Sequence, residues 1–136
     1  MISRLKKLWR GHGPDSGRGG RTLGAEGEQI AVKFLQRKGV EIVERNYRHG
    51  RGEIDIVARD RGVLVFVEVK TAMSNQFGSP EGWVDKRKQQ QIARLASGYI
   101  QRNHLTDIDC RFDVVAVDAT RNYEINYIQD AFWIEI

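Results

Sequence analysis

Residues 51–70 read RGEIDIVARDRGVLVFVEVK, and the way this stretch folds decides the architecture. Ile54, Ile56 and Ala58 alternate with more polar neighbours, and residues 63–70 are rich in β-branched and aromatic side chains. Both runs read as strands. Arg61-Gly62 lies between them, and glycine supplies the positive φ that a two-residue hairpin turn needs. With that turn Asp60 faces Val63, Asp55 faces Glu68 and Glu53 faces Lys70. Side chains alternate along a strand, so Glu53, Asp55, Glu68 and Lys70 are expected on one face, and Ile54, Ile56, Ala58, Val65, Val67 and Val69 on the other.

Opposed Cβ atoms on a hairpin lie about 4.5–5.5 Å apart. Two carboxylates held that close repel, and one keeps its proton unless a cation joins them. A divalent metal answers this: Mg²⁺ takes one or two carboxylates and keeps positions for water and phosphate oxygens. Lys70 beside the pair can orient a water. The plain alternative is a surface patch in which Lys70 pairs with Glu53 and Glu68. Four polar residues in register on an otherwise apolar hairpin favour the metal reading.

Asp55, followed after twelve residues by Glu68-Val69-Lys70, resembles the PD-(D/E)xK nuclease motif. The segments GAEGEQIAVKFL, GEIDIVA, LVFVEVKT, DKRKQQQIARLASGYI, DCRFDVVAV and IQDAF extend the likeness over residues 23–132, to the YraN-like family of predicted endonucleases. A more distant similarity is to archaeal Holliday-junction resolvases.

The resemblance implies a metal-dependent endonuclease acting on DNA, with selectivity for branched or junction structures as one option. Asp55 and Glu68 would hold Mg²⁺ or Mn²⁺, with the Val69 carbonyl as a further ligand. Lys70 would orient or deprotonate water. Glu28 would be an outer or second-metal acid, and Glu53 a secondary candidate. Lys88 and Gln89 match helix positions that reach the active site in related nucleases. Resolvases act as two-fold dimers, so a homodimer is an option, although no seam in the sequence marks an interface. Family members often carry Arg two residues after the lysine, and Ala72 stands there in this chain. A DNA-binding module without turnover is therefore the rival reading, and a protein-interaction adaptor using the tail is a third.

The 136 residues suffice for one domain and a tail. No apolar run approaches a membrane span, and the basic N-terminus has no apolar stretch after it, so a membrane protein and a secretory signal are not expected. The single Cys110 excludes an internal disulfide and fits a reducing cytoplasm. Residues 1–21 hold six Lys/Arg against one acid, Asp15, which exceeds the whole net charge of +4. DNA contact must therefore be argued from local patches in the remainder, residues 22–136. The Gly-rich tail is expected to be disordered.

Along the rest of the chain, a helix is predicted over 23–38 with a stripe of Leu23, Gly27, Ala31, Phe34 and Leu35, and with Glu28 at its edge. A strand over 40–45 precedes a loop over 46–52, and Arg45 at the strand's end with Arg48, His49 and Arg51 of the loop suit phosphate contacts. A second helix over 83–102 buries Ile92, Leu95, Ala96 and Tyr99 and shows Lys86, Arg87 and Lys88 in its first half, a basic face that suits gripping phosphate or is simply solvated. Strands over 111–117 and 122–129 follow, with Asp113 able to pair with Arg111. The order α-β-β-β-α-β-β predicts an α/β fold with a central mixed sheet flanked by helices, the layout of the restriction-endonuclease-like core.

Overall fold

The computed structural model describes residues 23–73, 78 and 82–134. The expected tail over 1–21 lies outside the described residues. Helix α1 (Leu23–Arg37) leads into β1 (Glu41–His49), β2 (Gly52–Asp60) and β3 (Val63–Ala72). Helix α2 (Lys86–Arg102) then crosses over to β4 (Cys110–Asp118) and β5 (Glu124–Phe132). The five strands lie in chain order in one sheet. Only β3 and β4 are parallel, because α2 carries the chain back before β4 starts. This is the mixed sheet with helices on its faces of a restriction-endonuclease-like α/β fold.

The hairpin closes at Asp60↔Val63. Arg61 and Gly62 take φ values of 50° and 86°, the two positive values of a type I′ turn. From there the strands alternate between two cores. Ile56, Ala58, Val65 and Val67 pack under Ala31, Val32 and Leu35 of α1. Val57, Leu64 and Phe66 pack under Ile92, Leu95, Ala96 and Tyr99 of α2. The Tyr99 ring meets Tyr47 and Phe66 edge-on, at centroid distances of 5.1 and 5.9 Å.

The structure departs from expectation in several places, and the last strand runs Glu124–Phe132 where 122–129 was expected. Strand β1 continues to His49, because Tyr47 pairs with Ile54 and Arg48 with Glu53, so most of the expected 46–52 loop is strand. Helix α2 starts at Lys86, where the Asp85 carboxylate accepts from Lys88 N–H at 2.8 Å and sets the cap. On α1, Leu23 is exposed and Val32 takes a place in the stripe.

Asp113 is fully buried and held from three sides. Arg111 donates to both its oxygens, at 3.0 and 3.1 Å, Tyr127 OH donates at 2.5 Å, and Asp130 N–H donates at 2.9 Å. Arg111 also reaches Asp60 at 2.9 Å. The expected Arg111–Asp113 pair is thus the centre of a satisfied structural network. No described helix is long and apolar enough to cross a membrane.

Candidate metal centre

The site forms where β2 parts from β3. Their ladder runs from the turn as far as Ile56↔Val67 and stops. Ile56 lies in the α1-side core, whereas Ile54 lies in the α2-side core with Val57. Residues two apart on a regular strand share a face, so β2 is kinked at Asp55. This corrects the expectation that Ile54 faces the same way as Ile56 and Ala58. On β1, Asn46 is level with the kink, between the pairs Arg45↔Ile56 and Tyr47↔Ile54, and takes φ 53°. The Asp55 carboxylate fills the fork itself: its Oδ2 accepts from Val69 N–H at 2.8 Å. Asp55 and Glu68 are therefore neighbours in a fork and not a ladder pair.

Glu28 arrives from α1 because the helix rides unusually close to β3. A Cβ on Gly27 would stand 1.8 Å from Thr71 Oγ1, so only glycine allows that approach. Ligand oxygens of Glu28, Glu53 and Asp55 lie within 4.8 Å of one another. The Asn46 amide nitrogen, turned to satisfy its neighbours, donates to Glu53 at 2.8 Å and to Glu28 at 3.0 Å. Glu68 stands on the α2 side, 3.7 Å from Lys88 Nζ, and its Oε2 is buried with no hydrogen-bond partner. Strand alternation puts Lys70 on the same side as Glu68, and Lys70 makes no ion pair among the described residues.

Burial and mutual repulsion hold these acids back from ionising. Burial first, then Asp55 and Glu53, push Glu28 up to about 7 against the pull of Arg45. Burial and Asp55 push Glu68 up to about 8 against Lys88. Asp55 is raised as well, by burial and Glu53, while the Val69 N–H works the other way. The set contains only hard oxygen donors, with one buried carboxylate oxygen unused. That fits Mg²⁺ or Mn²⁺, which would take the place of the retained protons.

The expected nucleic-acid contacts divide. Arg48 is drawn to Glu53 at 2.9 Å, and Lys88 to Glu68. Gln89 Nε2 donates to Val84 O at 2.8 Å, at the base of α2. Lys86 and Arg51 are exposed. Sequence reasoning missed Asn46, whose tolerance of positive φ is the one signal that could have marked it.

The model of Uncharacterised protein family UPF0102 matches residues 27–117. A UPF0102 protein of Chlorobaculum parvum is 49% identical over 117 residues, covering 81% of this chain and 91% of that one. One of Alkaliphilus metalliredigens is 44% identical over 112 residues, covering 82% and 98%. The solved structure of Pyrococcus furiosus SfsA in complex with Ca²⁺ aligns over 88% of this chain and 75% of that one at 16% identity, with a TM-score of 0.29, too loose a match to argue from.

Proposed function

We propose that this chain, which belongs to the UPF0102 (YraN-like) family, is a metal-dependent endonuclease that hydrolyses phosphodiester bonds in DNA. The observation that carries this reading is the convergence of Glu28, Glu53 and Asp55 oxygens within 4.8 Å at the strand fork, beside the unpartnered oxygen of Glu68. Asp55, Glu28 and Glu68, with Glu53, would hold Mg²⁺ or Mn²⁺, which supplies charge stabilisation at the scissile phosphate. Lys70 Nζ, on the Glu68 side, orients the attacking water, which gives up its proton to solvent. Water oxygen bonds to phosphorus, the bond to the leaving oxygen breaks, and that oxygen gains a proton. Lys88 Nζ, already drawn to Glu68, offers positive charge to the phosphate once the carboxylates are occupied.

The second reading, a DNA-binding module without turnover, is favoured by Ala72. This residue is buried on β3 and brings no cation where the family resemblance has Arg. A cleavage assay on single-stranded, duplex, flap and four-way-junction DNA with Mg²⁺ or Mn²⁺ separates the two. Metal-dependent cutting lost in Lys70→Ala and Asp55→Asn supports the nuclease. Salt-sensitive binding with no cutting of any substrate supports the module.

A further inference from the structure

Two of the expected phosphate contacts, Arg48 and Lys88, lean on the acids of the site. Other cations do not. Arg51 and Arg94 make no ion pair among the described residues. With His49, Gln91 and Arg102 they line a recess of about 240 Å³ between the β1–β2 turn and α2, and no carboxylate lines it. Gln91, Arg94, Gly98 and Arg102 recur every three or four residues, so they form one stripe of the helix. A Cβ at Gly98 would come within 2.8 Å of an Arg102 guanidinium nitrogen, so the Arg102 side chain lies back along the stripe. Arg102 is held in place, its Nε donating to Tyr47 OH at 3.0 Å and its guanidinium lying 5.7 Å from the Tyr47 ring centre.

We infer that this recess anchors the backbone of a DNA strand beside the acid cluster. The inference rests on the nuclease reading for its substrate, but the recess is a different set of residues. Three guanidinium groups that share a hollow without a carboxylate repel one another, and a polyanion relieves that repulsion. Gly52 lines the recess, and Glu53, the next residue, belongs to the acid cluster. Asp55 lies three residues beyond Gly52, roughly 10 Å along a strand. The recess and the acids are thus close enough for one strand to place one phosphate at each. Arginine forks suit phosphate, and the fixed Arg102 loses little freedom on binding it.

The test uses the full chain with EDTA and a fluorescently labelled duplex oligonucleotide, with anisotropy followed across a salt series. Arg51→Ala/Arg94→Ala should weaken binding at low salt by about tenfold or more and reduce the slope of log K against log[salt] by about 2. Arg51→Lys/Arg94→Lys should keep most of the slope. Circular dichroism and the Mn²⁺-induced rise in Tm should match wild type in both. An unchanged slope in the alanine variant overturns the inference. So does loss of binding to phosphatidylserine vesicles with DNA binding unchanged, which assigns the patch to a membrane surface. A wild-type protein with no Mn²⁺ shift, but with the slope change in the variant, sinks the metal reading and leaves the anchor standing.

Discussion

Val69 N–H donates to Asp55 Oδ2 at 2.8 Å, just past the last ladder pair of β2 and β3. A side chain thus takes a bond that backbone would take in a regular hairpin. The exchange lets β2 swing away from β3 while the Val69 N–H keeps a partner. Into the opened fork come Glu28 from α1 and Glu68 from β3, so the same kink that ends the ladder assembles the acids.

Those acids give the metal-free protein a distinctive pH dependence. Glu28 and Glu68 titrate near 7 and 8 in the fold, against 4.5 for the ordinary carboxyl group. Between those limits the folded state binds more protons than the unfolded one, so stability falls as pH rises. Their contribution is fully present below about 4.5 and is lost as pH passes 7 to 8. In EDTA, Tm should decline from pH 5 to pH 8 beyond the trend of a Glu28→Gln/Glu68→Gln variant. Saturating Mn²⁺ should flatten the decline, because it replaces the protons. A wild-type Tm that rises with pH over this range in EDTA contradicts the raised values.

Gly27 tests how the helix is seated. In Gly27→Ala the new methyl meets Thr71 Oγ1, and α1 must lift from β3. Overpacking of this kind costs about 1–3 kcal/mol. Urea denaturation should show that loss. Because Glu28 rides on the next residue, the Mn²⁺ shift in Tm should shrink as well. Full retention of that shift would mean Glu28 is not held by this contact.

Much of this was legible from the local pattern. Arg61-Gly62 marks the turn that closes at Asp60↔Val63, alternation along the second strand puts Glu68 and Lys70 on one face, and the apolar run after the turn reads as a strand. The period of Ile92, Leu95, Ala96 and Tyr99 picked out the buried face of α2. The kink at Asp55 was not legible, because alternation was carried straight through a point where a side chain-to-backbone bond ends the ladder. That error put Ile54 in the wrong core and made Asp55 and Glu68 a ladder pair. Glu53, the secondary candidate, shares a carboxylate group with Glu28 and Asp55, where the Asn46 amide meets it. The arginine recess was hidden for another reason. Spacing groups Arg94 with Arg102, but only tertiary packing brings the β1–β2 turn beside them.

Asp113 provides a contrast within the same sheet. Its carboxylate is fully buried, yet Arg111, Tyr127 and Asp130 N–H meet it. Asp113→Ala leaves a partly buried guanidinium with Asp60 and a 3.4 Å bond to Tyr127 OH, and breaking a buried pair in this way costs roughly 3–5 kcal/mol. Chemical denaturation should register that loss with or without metal. A variant as stable as wild type would show that the network contributes nothing net.

Asp55 should behave in the opposite sense. Its carboxylate is crowded by Glu28, Glu53 and Glu68, so its charge is opposed in the metal-free fold. Asp55→Asn keeps the shape, can still accept from Val69 N–H through its amide oxygen, and can donate to a neighbouring carboxylate. The variant without metal should be as stable as wild type or slightly more so. Millimolar Mg²⁺ or Mn²⁺ should raise wild-type Tm, since a ligand that binds only the folded state adds about 2.7 kcal/mol at 100 times its Kd. The variant should lose most of that rise and all cleavage. If instead the acids are held mainly by Lys88, Arg45 and Arg48, the signs reverse: Asp55→Asn destabilises, and metal moves neither protein. Melts of both proteins in EDTA and in Mn²⁺ decide the matter, and a destabilised variant beside a metal-indifferent wild type removes the case for a metal centre at the fork.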